Sequence, residues 1–442
     1  MKKEEKTSKK CPICGRLTHK ESKYCIFHAS AEEKTEKEFK EAMGKYIEKI
    51  KENNLDYNFT KFIFIGDIDF ERDFKVNTFK NANFWEAILK GDAIFKGATF
   101  KGVANFRWTT FEREVNFHMA VFEGYAFFRK ANFKSHADFS KATFKGVAAF
   151  LESTFKGLAN FYGSTFKRST NFILTNFEGV AYFSKATFKG VAAFNQVSFK
   201  DADFALKYFI EHLSFSRIKV FPGKKLSIKL NNDGGKISFD RAYLENVYLN
   251  VELNEGILID FTDTLLRNTY IQREQIENHI LQEKKEEYLK ANKIFLLLKN
   301  NFHSIGQYKD ESWAFKKEKD MERKSNCHFK TLHKWLWSCF LNGIFGYGEQ
   351  PGKVIVSAIL VILLFASLFM IFGISNVGIE FNTSNNFLDC MYFSTITFTT
   401  LGYGDFRPLE GWGRILAGSE AFIGAFMMAL FVYTFARRTG GR

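Results

Sequence analysis

Thr397-Phe398-Thr399-Thr400-Leu401-Gly402-Tyr403-Gly404-Asp405 is a run suited to carbonyl chemistry. A cation that sheds its water needs rings of oxygen at fixed spacing. Backbone carbonyls of Thr400, Leu401, Gly402 and Tyr403, with the Thr400 hydroxyl, can supply them. All must point toward one axis, which demands backbone angles that ordinary L-residues resist. Gly402 and Gly404 are the expected solution. Tyr403 is expected to turn its ring outward as a brace, and Thr399, Asp405 and Glu420 to support the run. A second candidate set lies at the other end of the chain. Cys11-Pro-Ile-Cys14, ten residues, then Cys25-Ile-Phe-His28 has the spacing of a tetrahedral Zn²⁺ site with three thiolates and one imidazole. His19 has the wrong spacing for a ligand. With four protein ligands the site is expected to be structural, ordering a segment too short to bury a core.

The elements around the first run decide how it is read. Val354–Ile379 carries no charged residue, and its dense part is long enough to cross a ~30 Å bilayer core as a helix. Ile415–Ala436 is a second apolar run, interrupted only by Glu420. Between them, 385–399 reads as a short half-helix. Non-helical backbone at membrane depth is tolerated only where protein shields it or it lines a pore. Gly346-Tyr347-Gly348-Glu349 is a decoy: it lacks the threonines and precedes both runs. The T-x-T-T-L-G-Y-G-D run in this setting resembles the selectivity filter of potassium channels, with Leu401 in place of the commoner valine. The resemblance implies a two-helix pore domain selective for K⁺. One filter per chain and a ring of four imply a homotetramer. Gly424 falls where such channels often place a gating hinge, and packing against a neighbour accounts for it equally well.

Composition bounds the rest. The chain has 442 residues, 54 of them Phe and only four Pro, with a formal net charge of +14. The Phe bias points to a repeat. The positive charge suits an anionic inner leaflet more simply than nucleic acid. Met1–Lys10 is lysine-rich with no apolar run after it, so no signal peptide is expected. Lys330, Lys334 and Lys353 before the first span, and Arg437, Arg438 and Arg442 after the second, put both termini in the cytoplasm of a multi-pass inner-membrane protein. Cys327, Cys339 and Cys390 read as plain thiols.

From Phe79 to Phe204, Phe recurs in alternating steps of five and six, Leu89 being the exception, with a small residue two before nearly every centre. The steps match neither a helix nor a simple strand. They fit a β-solenoid with Phe stacked coil on coil, the small residue beside it, and Lys-Gly pairs at corners where Gly relieves the turn. The pattern resembles the pentapeptide-repeat family, which implies a right-handed solenoid. Together with the filter and the linker from Tyr288, it resembles the prokaryotic pentapeptide-repeat ion channels.

The expected organisation is multidomain: a zinc knuckle over 1–30, a helical linker over 31–58, a solenoid over 59–268 with an insertion at 206–235, a helical hairpin over 269–328, an interfacial helix over 329–350, and a pore domain over 351–442. Within the last, the spans are 354–373 and 414–436 and the pore loop is 385–405. Trp335 and Trp337 read as interfacial anchors. No helix carries Arg at every third position, which argues against voltage sensing, and only six residues follow the second span. Regulation is therefore expected from the solenoid, through an unidentified cytoplasmic ligand or protein. The competing reading is a membrane-tethered scaffold with a non-conducting pore. Residues 61–210 hold 21 Lys or Arg against 14 Asp or Glu, the wrong sign for DNA mimicry. No nucleophile–base set or phosphate loop is present, so no enzyme is expected.

Overall fold

The computed structural model describes residues 9–209, 212–326, 332–376, 383–409 and 411–439; Cys327, Lys330 and Arg442 fall outside these. The chain divides into two compact units, Met1–Glu287 and Tyr288–Arg442.

In the first unit a β-solenoid runs through residues 57–267. Two-residue strands pair in parallel with the coils before and after, typically 22 residues away, as in Ala126 with Ala104 and Ala148. Over most of the tower a five and a six step, taken twice, sum to a 22-residue coil; farther on, longer and shorter coils keep the ladder paired, as in Thr187 with Tyr208 and Ala202 with Leu226. Inward rings stack in four columns: Phe106–Phe128 at 5.0 Å and 1°, Phe133–Phe155 at 4.4 Å and 6°, Phe161–Phe183 at 4.8 Å and 1°, Phe122–Phe144 at 4.7 Å and 1°. Opposite columns meet edge-on, as in Phe139–Phe150 at 89°, the arrangement the ring quadrupole favours, while consecutive columns meet tilted or edge-on, as in Phe139–Phe144 at 39° and Phe144–Phe150 at 77°. Where the small inward residue is Ser or Thr, its hydroxyl donates to a buried carbonyl: Thr109 to Phe84, Ser153 to Phe150.

The corners differ from the expectation. Between Phe84 and Phe199 every five-step corner holds one residue with positive φ, two after a Phe, and it is seldom glycine: Trp108 (60°), Met119 (57°), Lys130 (58°), Lys141 (56°), Glu152 (58°). The glycines stand at the six-step corners for another reason. A Cβ on Gly124 would lie 2.3 Å from the Gly102 carbonyl oxygen, and one on Gly146 would lie 2.1 Å from that of Gly124. They let successive coils approach; the turn itself is carried by other residues.

The segment 206–235 is not an insertion. Leu213 pairs with Ala192 and with Ile237, and Leu226–Leu230 pairs with Ala202–Leu206. Phe209 and Phe215 keep the inward ring positions, but Val220 and Ile228 stand in register with Phe199 and Phe204, and Leu213 and Leu226 replace the small Ala192 and Ala202, which hides the period. Nor does 237–266 cap the tower, since Leu265–Arg267 is still a paired strand. The end is closed by 271–284, where Ile271, Ile276, Ile280 and Leu281 are buried, so the hairpin begins later than 269. At the other end helix α1 (Glu36–Glu52), capped by Thr35 and Glu38, buries Phe39, Met43, Ile47 and Ile50.

The second unit holds the hairpin α2 (Tyr288–Ser304) and α3 (Tyr308–Ser325), then α4 (Leu332–Phe345), α5 (Pro351–Phe372), α6 (Phe387–Phe398) and α7 (Trp412–Thr439). Trp313 meets Phe295 edge-on, and Lys299 pairs with Glu318 at 2.7 Å inside the hairpin. The apolar helices Pro351–Phe372 and Trp412–Ala436 have mean hydropathy 3.1 and 2.0, with only 22% and 17% of their windows buried. A soluble core helix would be mostly buried, so these are membrane helices. Gly346–Gly348 forms a tight turn between α4 and α5, with the Tyr347 hydroxyl bonded to Ser338 at 2.8 Å.

Gly124→Ala is expected to destabilise the solenoid by ~1–3 kcal/mol, whereas Lys141→Gly, at a left-handed corner, should be neutral or stabilising. Thermal melts of the two variants check this; equal losses would contradict the division of labour between the corners.

Candidate functional site

Helix α6 begins at Asn386, whose side chain caps the Leu388 N–H, and ends at Phe398. From there the chain turns up through the filter run. The Thr400 N–H donates to Thr397 O at 3.0 Å and the Leu401 N–H to Ile396 O at 2.9 Å, fastening the run to the helix end. Thr400, Gly402 and Gly404 have φ of 58°, 53° and 81°, while Leu401 and Tyr403 between them do not have positive φ. Such alternation of handedness is what a run needs if successive carbonyls are to face one way. Two of the three left-handed positions were legible as glycines. The third, Thr400, was not, because a β-branched residue there is an outlier that only its surroundings can hold.

Those surroundings are specific. Ser394 Oγ on α6 lies in hydrogen-bond reach of Glu420 on α7 and of the Ile362 carbonyl on α5 at 2.9 Å, so one hydroxyl ties three helices behind the run. Glu420 is fully buried. Sequence reasoning singled out Glu420 but missed Ser394, whose only signal was a small polar residue inside an apolar half-helix. Around this point pack Phe365, Phe369, Cys390, Phe393 and Ile396. Gly424 approaches α6 so closely that a Cβ would lie 2.0 Å from the Phe398 carbonyl oxygen. Of its two sequence readings, this contact favours packing. Thr399 Oγ1 donates to Thr395 O at 2.7 Å, and Asp405 accepts from the Phe406 N–H at 3.1 Å. Thr399 thus bonds within α6 and Asp405 at the start of the strand Phe406–Pro408.

The N-terminal set also comes together. The ligand atoms of Cys11, Cys14, Cys25 and His28 all lie within 4.8 Å of one another. Tetrahedral Zn–S bonds of ~2.3 Å place sulfurs about 3.8 Å apart, so the donor set fits. His28 turns Nδ1 toward Cys25 Sγ (3.1 Å), while its Nε2 bonds the Thr60 carbonyl at 3.0 Å, fixing the tautomer that leaves Nδ1 free to ligate. Burial holds the His28 imidazole below its ordinary value, hence neutral. Burial, with the neighbouring Cys14, pushes the Cys25 thiol up to about 12, so a cation is what would make it a thiolate. The knuckle is anchored to the solenoid by Phe27 stacked on Phe62 at 4.6 Å, and by Lys34, which donates to the carbonyls of Ile26 and Ile63.

Residues 356–440 match the ion-channel family model. The C-terminal region is an ion-channel domain. Residues 84–132 and 128–174 match the pentapeptide-repeat model. Over 83 residues the chain is 32% identical to the two pore potassium channel a of Oryza sativa subsp. japonica, covering 19% of this chain and 24% of that protein. The match thus spans about a quarter of the relative's length. No solved structure matches the chain. The channel domain and the repeat region exclude a reading as an enzyme, and the four-residue cluster is a possible metal site.

Ser394→Ala and Gly424→Ala should both disturb the filter run, the second by ~1–3 kcal/mol of overpacking. Packing predicts that Gly424→Ala loses ion selectivity, seen as a shifted reversal potential under bi-ionic conditions. A pure hinge would leave selectivity intact and change open probability alone. For the N-terminal cluster, one Zn²⁺ per chain is expected by elemental analysis. Free Zn²⁺ at ~1,000 times Kd should stabilise the first unit by ~4 kcal/mol, an effect that Cys25→Ser removes.

Proposed function

We propose that the protein is a potassium-selective channel, a homotetramer in which four copies of Thr400–Gly404 line one ion path. The observation that carries this is the alternation of positive φ at Thr400, Gly402 and Gly404 in a segment held between two membrane helices. Rings of carbonyls at that spacing replace the hydration shell of K⁺. Leu401 and Tyr403 are 59% and 69% exposed in the single chain. Large apolar side chains beside a filter are covered when four copies assemble, which supports the tetramer. In this reading Glu420 and Ser394 hold the filter from behind. Both termini lie in the cytoplasm by the positive-inside rule, and Cys11, Cys14, Cys25 and His28 hold a structural Zn²⁺. The pentapeptide-repeat domain regulates gating or binds a partner, acting through the hairpin α2–α3, helix α4 and the first span.

Flux from proteoliposomes under a K⁺ gradient, repeated with Na⁺, tests the core of this reading. K⁺-selective flux is expected, with loss in Gly402→Ala. Removing residues 1–287, the whole first unit, distinguishes a shut gate from a scaffold: a released gate conducts, whereas a pore that stays silent in both forms defeats the channel reading.

A further inference from the structure

The solenoid is electrically two-sided. One face is the seven-stranded sheet that carries Thr99–Phe100, Thr143–Phe144, Thr165–Phe166 and Thr187–Phe188. Counting that face with its two corners (residues 74–80, 95–103, 117–125, 139–147, 161–169 and 183–191), there are ten Lys or Arg and one carboxylate, Glu123. The remaining stretches of the same coils (81–94, 104–116, 126–138, 148–160 and 170–182) hold seven cations and seven carboxylates. The imbalance follows from the repeat. The residue after each Phe on this face points outward, and coil after coil it is Lys101, Lys145, Lys167 and Lys189, all exposed. Among the described residues, Lys145 alone of the ten cations has a carboxylate partner, Glu123 at 2.7 Å. Across the tower the matching column is less one-sided, with Glu112 and Glu178 among Lys90, Lys134, Lys156 and Lys200, and Glu112 reaching both Lys90 and Lys134.

We propose that this face docks on an anionic phospholipid leaflet. Lys145, Lys167 and Lys189 stand on successive rungs of parallel strands, ~4.8 Å apart, with Lys101 two rungs before them across the rung of Glu123, beside a column of threonines interrupted by Val121. A flat array of point charges suits a plane of lipid phosphates, and each lysine near such a surface contributes ~1 kcal/mol. Nucleic acid is less well matched. Single strands need a run of aromatic platforms for their bases, whereas the outward strand residues of these rungs are threonines and Val121, with Tyr208 on the last rung and Tyr125 at a corner as isolated exposed rings. The chain also carries its own membrane helices, so a leaflet is always within reach. The inference rests on the proposed placement of the solenoid on the inner side of the membrane.

Residues 1–287 form a compact unit with their own core, closed by the knuckle and α1 at one end and by 271–284 at the other. They can therefore be tested without the pore. The assay is flotation with phosphatidylcholine vesicles, with and without phosphatidylglycerol. Binding is expected only with phosphatidylglycerol and should weaken with salt. Replacing Lys101, Lys145, Lys167 and Lys189 by Gln should lower it on the order of 10²- to 10³-fold, with an unchanged melting temperature. Replacing Lys90, Lys134, Lys156 and Lys200 by Gln should change it far less. No binding to anionic vesicles, equal loss in both variants, or tighter binding to a DNA duplex through the same lysines would each overturn the proposal. None of these results depends on conduction, so a failure here and a failure of the channel reading are separate outcomes.

Discussion

The proposed ion path depends on aiming several consecutive carbonyls in one direction. A uniform strand alternates them and a helix points them along its own axis. Only alternating backbone handedness turns them the same way, and here it falls on Thr400, Gly402 and Gly404. Glycine adopts such angles readily; threonine resists them by roughly 1–2 kcal/mol. The scaffold behind the run supplies the difference: the end of α6 accepts its N–H groups, and the Ser394 hydroxyl draws together helices α5, α6 and α7. The close seat of Gly424 under Phe398 belongs to the same scaffold.

The same backbone device recurs in the solenoid at a longer interval. Between Phe84 and Phe199, one left-handed residue every 11 positions turns each five-step corner. Most of these are Lys, Glu, Gln, Trp or Met, so each coil carries two strained residues. Ladder hydrogen bonds on both sides offset that strain, for example Trp108 N–H to Arg129 O and Lys130 N–H to Leu151 O, at 3.0 and 2.9 Å. The stacked Phe columns then give the corners something rigid to turn around.

Much of this was legible in the sequence, and the gaps have physical reasons. The Phe period announced the solenoid because a ring that stacks on its copy one coil away must recur at a fixed interval. It faded over 206–235, where Val220 and Ile228 take ring positions and the larger Leu213 and Leu226 take those of Ala192 and Ala202, although Phe209 and Phe215 still keep theirs. The corner glycines were visible, but their reason was not: a glycine that admits a neighbouring coil and one that permits positive φ look alike in a sequence. The Cys and His ligands could be paired by spacing alone, because a tetrahedral site leaves few choices. Ser394 could not be found that way, since its partners Ile362 and Glu420 lie 32 and 26 positions away.

The recurring coil makes the tower a ruler graduated in whole turns. Adding or removing 22 residues, the separation of Val115 from Ala137, lengthens or shortens it by one rung and returns every later side chain to its own face. A change of any other length has to be absorbed at a corner, as it is between Thr187 and Tyr208, between Ala202 and Leu226, and by the helical turn Phe70–Phe74 between Tyr57 and its partner Ala82. Growth by tandem duplication of single coils is therefore the route open to such a domain. It can change reach in small equal increments while the chemical identity of each face is inherited intact.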